Sequence, residues 1–224
     1  MSGAGKTVFA GGVTFSSLTI LSGRTVENQA TALWTGSQLV INGTFLNDAG
    51  AVLNSTVDGG VMSGSGTFTN NGTLLKSGGT GTTSIGTIFG TPAILNNGSI
   101  EIDSGTLQFA KSLENAGTIK IAAAATLGVT GNLKMDATSV LDILLSSAGT
   151  GLLNVSGAVT IAGTLVTLPP PNFAPTVGSR FKFAAFASQS GGFASVQEGA
   201  LTPGEALSLD TNVAGQLNLD VVSA

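Results

Sequence analysis

Two stretches of the sequence contain residue types that could carry out chemistry. Residues 2–7 read SGAGKT and match the end of a phosphate-binding loop. Such a loop needs G-x-x-x-x-G-K-[ST] between a strand and a helix, because backbone amides at the helix N-terminus hold the phosphates. The first glycine of that pattern would fall before Met1, and residues 7–15 (TVFAGGVTF) are typical of a strand. We therefore interpret residues 2–7 as part of an N-terminal strand.

The second stretch contains paired carboxylates. Glu101 and Asp103 alternate along one predicted strand, so both point to its outer face. Three further acidic residues are expected near them on neighbouring coils: Glu114, Asp136 and Asp142. Such carboxylates can act as acid and base on a glycan, or bind calcium. We favour a solvated face instead, because the only arginines, Arg24 and Arg180, lie at opposite ends of the repeats.

The residue types that are missing exclude several kinds of site. The 224 residues include no His and no Cys. This excludes His-based nucleophilic catalysis, thiol chemistry, disulfides and zinc or iron–sulfur centres with these ligands. We predict that the protein is not an enzyme and has no catalytic residue, metal site or cofactor.

The charge content limits the possible partners. Only 9% of the residues are charged, against a usual value of roughly 25%, and 42% are hydrophobic. The chain should therefore fold, with a surface of Thr, Ser, Asn and Gly. Eight basic residues and a net charge of −4 argue against nucleic acid. No segment approaches the ~20 apolar residues that cross a bilayer, so we predict no membrane insertion.

The elements that would position any site are short strands in a repeat. Two apolar residues flank one polar or small residue, after a Gly-Thr or similar turn. The clearest copies are NGTF (42–45), GTFTNNGTLLK (66–76), NNGSIEI (96–102), GTLQF (105–109), NAGTIKI (115–121) and AGTLVTL (162–168). Alternation with period 2 predicts strands with one buried face.

The predicted inward-facing pairs set the size of the repeat. They are Ile100/Ile102, Leu107/Phe109, Ile119/Ile121, Leu127/Val129, Leu133/Met135, Leu141/Ile143, Leu153/Val155 and Val159/Ile161. They recur about every eight residues, so three strands would form a coil of roughly 24 residues, which is typical of a solenoid. We predict a β-solenoid of about seven coils between Val13 and Leu168. The alternative is a β-sandwich.

The turns fit either architecture but favour the solenoid. Asn residues recur at the corners, at Asn42, Asn70, Asn71, Asn96 and Asn97. We expect Asn and Gly there because both tolerate the positive φ of a sharp corner. Similar Asn side chains in successive coils can also form a hydrogen-bonded ladder.

The C-terminal part of the chain differs from the repeat. Residues 168–186 hold four of the six prolines, and period-2 segments follow. We predict two regions, a β-solenoid over 1–168 and a C-terminal capping β region over 169–224.

Trp34 is the only tryptophan. We predict that it fills a wide first coil, with a sugar-stacking role on the surface as the alternative.

Several of these segments resemble the repeats of bacterial autotransporter-type passenger regions and related surface adhesins. They are NNGTLLKSGGTGTTSIG (70–86), the stretch from Leu95 to Ser147, and GLLNVSGAVTIAGTLVTL (151–168). The segment PTVGSRFKFAAFASQSGGFASV (175–196) is similar to the one that ends such arrays. The resemblance implies an all-β, right-handed parallel β-helix outside the cell.

The resemblance implies a function only in outline. We expect a non-enzymatic structural or adhesive solenoid of a bacterial surface, with surface glycans or other copies of itself as partners. Self-assembly into filaments is a variant, because an uncapped solenoid end can pair with another chain. The alternative is a polysaccharide lyase or hydrolase on a β-helix scaffold.

Overall fold

A computed structural model describes residues 3–20, 22–87, 90, 93–147, 149–171, 173–199, 201 and 203–224. These residues form strands and turns only. Among them there is accordingly no helix long and apolar enough to cross a membrane. Three sheets of nine, nine and ten strands run side by side. The fold is a β-solenoid, and the β-sandwich is ruled out because successive strands of each sheet pair in parallel over nearly the whole chain.

The strands are short and follow each other closely in the chain. Those of the first four turns are β1 (Gly5–Phe9), β2 (Val13–Phe15), β3 (Leu18–Ile20), β4 (Arg24–Asn28), β5 (Thr31–Trp34), β6 (Gln38–Ile41), β7 (Thr44–Asn47), β8 (Val52–Ser55), β9 (Val61–Ser63), β10 (Thr67–Asn70), β11 (Thr73–Lys76) and β12 (Thr82–Ile85). The next turns contain β13 (Ala93–Asn96), β14 (Ser99–Ile102), β15 (Thr106–Phe109), β16 (Leu113–Asn115), β17 (Thr118–Ile121), β18 (Thr126–Val129), β19 (Leu133–Met135), β20 (Val140–Ile143), β21 (Leu145–Ser146), β22 (Gly149–Thr150), β23 (Leu152–Val155), β24 (Ala158–Ile161) and β25 (Thr164–Thr167). The C-terminal strands are β26 (Arg180–Ala185), β27 (Ser188–Gly191), β28 (Ser195–Glu198), β29 (Glu205–Asp210) and β30 (Gln216–Ser223).

Each turn contributes one strand to each sheet. Sheet A begins with β1, sheet B with β2 and sheet C with β3, and each sheet then takes every third strand up to β20. Between β2 and β25 the chain completes about seven turns, which confirms the predicted number. The turns differ in length. One advances 19 residues, from Gly5 to Arg24, and another advances 31, from Leu153 to Ala184.

The core lies inside the solenoid and follows the predicted alternation. All sixteen residues of the eight predicted inward-facing pairs are buried. Equivalent residues stack in columns along the axis, as Ile100, Ile119 and Leu141 do in sheet B. Adjacent strands of a sheet lie about 4.8 Å apart, so like side chains meet at close range and exclude water.

A ladder of buried asparagines runs along the inside of sheet A. The side-chain amide of each residue donates to the side-chain oxygen of the next, over distances of 2.6–2.8 Å. Its members are Asn28, Asn47, Asn70, Asn96 and Asn115, and none exposes more than 2% of its surface. The predicted ladder is therefore present, and it includes three residues that the sequence analysis did not single out. The predicted Asn71 and Asn97 pair with each other on the surface instead, at 3.0 Å.

The Asn-Gly corners need glycine because the backbones of successive turns approach closely there, and not because the glycine has an unusual backbone conformation. The expectation of positive φ was wrong for Gly72, Gly98 and Gly117, which lie outside the left-handed region. Their hydrogen atoms face the corner of the previous turn. A Cβ on Gly98 would lie 2.1 Å from the carbonyl oxygen of Gly72, and one on Gly117 would lie 1.9 Å from that of Gly98. Glycine is required because successive corners leave no room for a side chain.

Aromatic rings fill the interior of the first turns. Phe9 contacts Phe15 edge-on with the ring centroids 5.4 Å apart, and Phe15 contacts Phe45 at 6.1 Å. Phe45 in turn lies 5.6 Å from Phe68. Such ring pairs add packing energy beyond the area they bury. The stack thus links the interiors of the first four turns.

The C-terminal region combines further turns with an antiparallel hairpin. Strands β26, β27 and β28 continue the three sheets in parallel past residue 168. Strand β30 then pairs antiparallel with β26, and β29 pairs antiparallel with β30. Sheet C thus extends further along the axis than sheets A and B. The division at residue 168 and the capping role of 169–224 stay predictions.

Candidate functional site

The glycine-rich N-terminal stretch belongs to a strand. Strand β1 begins at Gly5 and pairs with β4, and strand β2 follows it. The exposed Lys6 forms an ion pair with Glu27 at 2.5 Å. Ser2 lies outside the described residues. The described part of SGAGKT therefore lacks the strand–loop–helix context of a phosphate-binding loop, in agreement with the interpretation above.

A row of alternating charges crosses the outer face of sheet B. Glu101 on β14 is in register with Lys120 on β17, which is in register with Asp142 on β20. The backbones of Glu101 and Asp142 are two strands apart, or roughly 10 Å. The Glu101 carboxylate accepts a hydrogen bond from Ser99 Oγ at 3.0 Å. Lys120 thus separates the two carboxylates. Pairs of unlike charge on neighbouring strands stabilise the sheet.

Asp142 is the unusual member of this row. Burial raises the pKa of its carboxyl group, Lys120 opposes this shift, and Glu101 adds to it. Its Oδ1 atom is buried and has no hydrogen-bond partner among the described residues. A carboxyl group with a raised pKa is one that general acid–base chemistry can use. Asp142 is therefore the residue on which an enzymatic function would depend.

The remaining predicted carboxylates do not join the row. Glu114 lies on β16 and Asp136 follows β19, and both strands belong to sheet A. The expectation that they lie near Glu101 was wrong, because the strand count between them places them on another sheet. Asp136 instead pairs with Lys134 at 3.4 Å. Asp103 is exposed just past the end of β14.

Trp34 occupies the interior, as predicted. Its side chain is fully buried, and its indole N–H donates to the carbonyl oxygen of Gly36 at 2.7 Å. A buried indole with its one donor satisfied stabilises the core. Trp34 is therefore not a surface platform for a sugar ring.

A buried ion pair was not predicted from the sequence. Lys76 faces inward at the end of β11, and its side chain is 0% exposed. Its Nζ lies 3.2 Å from Asp58 Oδ1 and also donates to the carbonyl oxygen of Gly78. Nearby, Ser55 Oγ lies 3.0 Å from Thr83 Oγ1. These contacts form a polar cluster between the corners of two successive turns.

The Asp58 carboxylate lies on the solvent side of this polar cluster. The backbone N–H of Gly81, followed by Lys76 and the N–H of Thr80, keeps the pKa of Asp58 below its usual value against an opposing effect of burial. A Cβ on Gly79 would lie 2.1 Å from Asp58 Oδ1. This site is an ion pair that joins two loops, and its half-exposed carboxylate is held by Lys76 and the backbone N–H groups of Gly81 and Thr80.

The described residues contain no grouping of three or more His, Cys, Asp or Glu side chains that could hold a metal ion. No protein-family model and no curated protein matches this sequence. The resemblance to autotransporter-type repeats therefore stays a prediction. What the structure shows is a β-solenoid scaffold.

Proposed function

We propose that this protein is a non-enzymatic structural and adhesive element of a bacterial surface, located outside the cell. The observation that carries this proposal is the continuous register of three sheets around one axis, with buried columns of like residues inside. The nine strands of sheets A and B, spaced about 4.8 Å apart, make a rod on the order of 40 Å long. Continuous backbone ladders resist bending, so such a rod holds binding groups away from the cell.

The surface composition supports this role. Some outer rows of the sheets consist of neutral polar residues, and only 9% of all residues are charged. Thr25, Thr44 and Thr67 form one such row on sheet A. Neutral polar side chains solvate the rod without the strong field that would favour nucleic acid.

The location is tested on intact cells of the source bacterium. An antibody against the protein should label unpermeabilised cells, and external protease should remove the signal. Deletion of the gene should reduce attachment to host or abiotic surfaces. Labelling only after permeabilisation would contradict the proposal.

Association with other copies is limited by the shape of the C-terminal end. Strand β28 is exposed at all four residues, so its edge is open to another chain. In sheet C, however, β30 and β29 occupy the places of the following turns. A second copy would have to meet three edges at once, β27, β28 and β29 of the antiparallel hairpin, and β29 lies one strand further along the axis than the other two. Electron microscopy at rising concentration should show single particles, and filaments would contradict this expectation.

Asp142 and Glu101 are the basis of the competing function, a glycan-acting enzyme. That function predicts polysaccharide cleavage that is lost in both Glu101→Ala and Asp142→Asn. Lyase and hydrolase assays on a polysaccharide panel distinguish the two functions. We expect no cleavage by the wild-type protein.

A further inference from the structure

We propose that a groove at the corner after sheet C binds a neutral oligosaccharide through Phe186 and the amides of Gln108 and Asn154. This inference deepens the adhesive part of the proposed function and rests on it. The groove has a volume of about 510 Å³. A second groove of about 430 Å³ shares Phe186 and Ala187 with it. Both volumes fall within the roughly 300–1,000 Å³ of ligand sites.

The shape of the groove follows from one glycine. Gln108, Gly128 and Asn154 are consecutive in an outer row of sheet C. A Cβ on Gly128 would lie 2.0 Å from Gln108 Oε1, so the Gln108 side chain occupies the space that Gly128 leaves free. The row thus presents the Gln108 amide, folded over Gly128, next to the exposed amide of Asn154.

The polar groups of the groove have unused hydrogen-bonding capacity. The exposed amide of Asn154 makes no side-chain hydrogen bond with the described residues. Gln108 Nε2 donates to the carbonyl oxygen of Phe109 at 2.8 Å and to Thr130 Oγ1 at 3.3 Å, so the acceptor Oε1 is the group that Gln108 offers a ligand. Ser156 Oγ accepts from the N–H of Gly131 at 2.9 Å, as Thr130 Oγ1 accepts from Gln108. Both hydroxyl groups keep a proton to donate. An amide and a hydroxyl each donate and accept, and so do the hydroxyl groups of a sugar.

Phe186 supplies the apolar surface. Its ring is partly exposed and packs against the core, and its N–H donates to the carbonyl oxygen of Gly215 at 2.9 Å. The position of the backbone is therefore fixed by the C-terminal hairpin. Phe186 lines both grooves and therefore lies where the two grooves meet. A rigid aromatic face with polar groups around it suits the C–H face of a pyranose ring.

Other ligand classes fit the groove less well. None of the described residues that line either groove carries a charge, so an anionic ligand such as a uronate or a phosphate has no counter-ion. The backbone groups of β18 and β23 are used in the sheet. An added peptide strand therefore finds no free edge there.

The binding of neutral oligosaccharides to the purified protein tests this inference. The probes are maltohexaose, cellohexaose, mannohexaose and chitohexaose, with hexagalacturonate as the acidic probe, measured by calorimetry and saturation-transfer NMR. We expect binding of at least one neutral probe. Phe186→Ala and Asn154→Ala should each weaken it roughly tenfold or more. Thermal unfolding confirms that the variants are folded, and the exposed Asn154 keeps the test valid if Phe186→Ala is unstable.

Two matched variants serve as controls. Phe173→Ala removes an aromatic ring that contacts Phe181 elsewhere, and Asn54→Ala removes an amide on sheet B. Both should bind like the wild type. The inference is overturned if no neutral probe binds, if hexagalacturonate binds best, or if Phe186→Ala and Asn154→Ala leave the affinity unchanged. None of these results affects the cell-surface labelling that tests the proposed function.

Discussion

The side-chain amide of Asn47 donates to the side-chain oxygen of Asn70 at 2.7 Å, although 23 residues separate them in the chain. Neither residue is exposed by more than 1%. Asn70 in turn donates to Asn96 at 2.7 Å and to the carbonyl oxygen of Ser99 at 2.8 Å. Each interior member of the ladder therefore depends on the turns before and after it. At the first member, Asn28, the Oδ1 atom is buried without a partner in the described part of the chain, because Phe9 occupies the equivalent position on the preceding turn.

Replacement of an interior ladder residue should strongly destabilise the fold. In Asn70→Ala the Asn47 amide loses an acceptor and the Asn96 oxygen loses a donor. Leaving buried polar groups unpaired should lower the free energy of unfolding by roughly 2–4 kcal/mol. Chemical denaturation measures the change. The control is Asn71→Ala, since Asn71 bonds to Asn97 on the surface and its loss should cost less than about 0.5 kcal/mol. Equal effects of the two variants would show that the ladder does not stabilise the solenoid.

The stacked corners should not tolerate even a methyl group. Gly98→Ala places a Cβ against backbone that cannot move without shifting the preceding corner. We expect a loss of roughly 1–3 kcal/mol, the usual cost of overpacking. Gly11→Ala is the matched control, because a Cβ there meets nothing within 4 Å. Thermal melts that show no difference between the two variants would refute the steric explanation.

The buried ion pair predicts an asymmetry between its two residues. Lys76→Met removes the buried charge and keeps the length of the side chain. It should change the free energy of unfolding by only about 1 kcal/mol, or raise it. Asp58→Asn leaves the Lys76 ammonium group buried without its counter-ion and should be the more damaging change. Urea denaturation of both variants and of the double variant tests this order, and the double variant should resemble Lys76→Met.

The contribution of Asp58 should depend on pH. Because its pKa is lowered in the fold, its stabilising effect is present above the ordinary value of 3.8 and is lost as the pH falls below it. The gap in denaturation midpoint between the wild type and Asp58→Asn should therefore narrow below that pH. A gap that is the same at pH 2.5 and pH 7 would contradict the assigned role.

Asp142 should show the opposite pH dependence. Its raised pKa means that the folded protein binds the proton more readily than the unfolded chain does. The Asp142 carboxyl group therefore lowers the free energy of unfolding as the pH rises above 3.8. This loss reaches its full size above the pKa that Asp142 has in the folded protein. Asp142→Asn should raise the denaturation midpoint at pH 7 and have no effect at pH 2.5. A lower midpoint at pH 7 would indicate that the Lys120 contact dominates.

Much of the fold could be predicted because alternation is a local property. Residues such as Ile119 and Ile121 show their inward direction within a single strand, and their spacing to the next pair gives the length of a turn. The predicted Asn ladder was correct for Asn70 and Asn96. It missed Asn47, because Asp48 and Ala49 follow it in place of the Asn-Gly corner.

The parts that could not be predicted depend on contacts between turns. The sequence of β11 ends in Lys76, which suggests an exposed strand end, and its partner Asp58 lies 18 residues earlier. Glu114 was placed on the wrong sheet because assignment to a sheet requires the exact number of strands between two residues. The groove at Phe186 depends on the Gln108 side chain that folds over Gly128 and on a loop beyond residue 210, so no short segment indicates it.

The hairpin of β21 and β22 shows where the polypeptide can change in length. Strand β20 ends at Ile143 and β23 begins at Leu152, and the hairpin between them is closed at its base by a hydrogen bond of 2.9 Å from Gly151 N to Leu144 O. The sheets on either side keep their register. This corner is thus a natural insertion point, at which an epitope or a reporter peptide can be displayed from the rod without altering its winding.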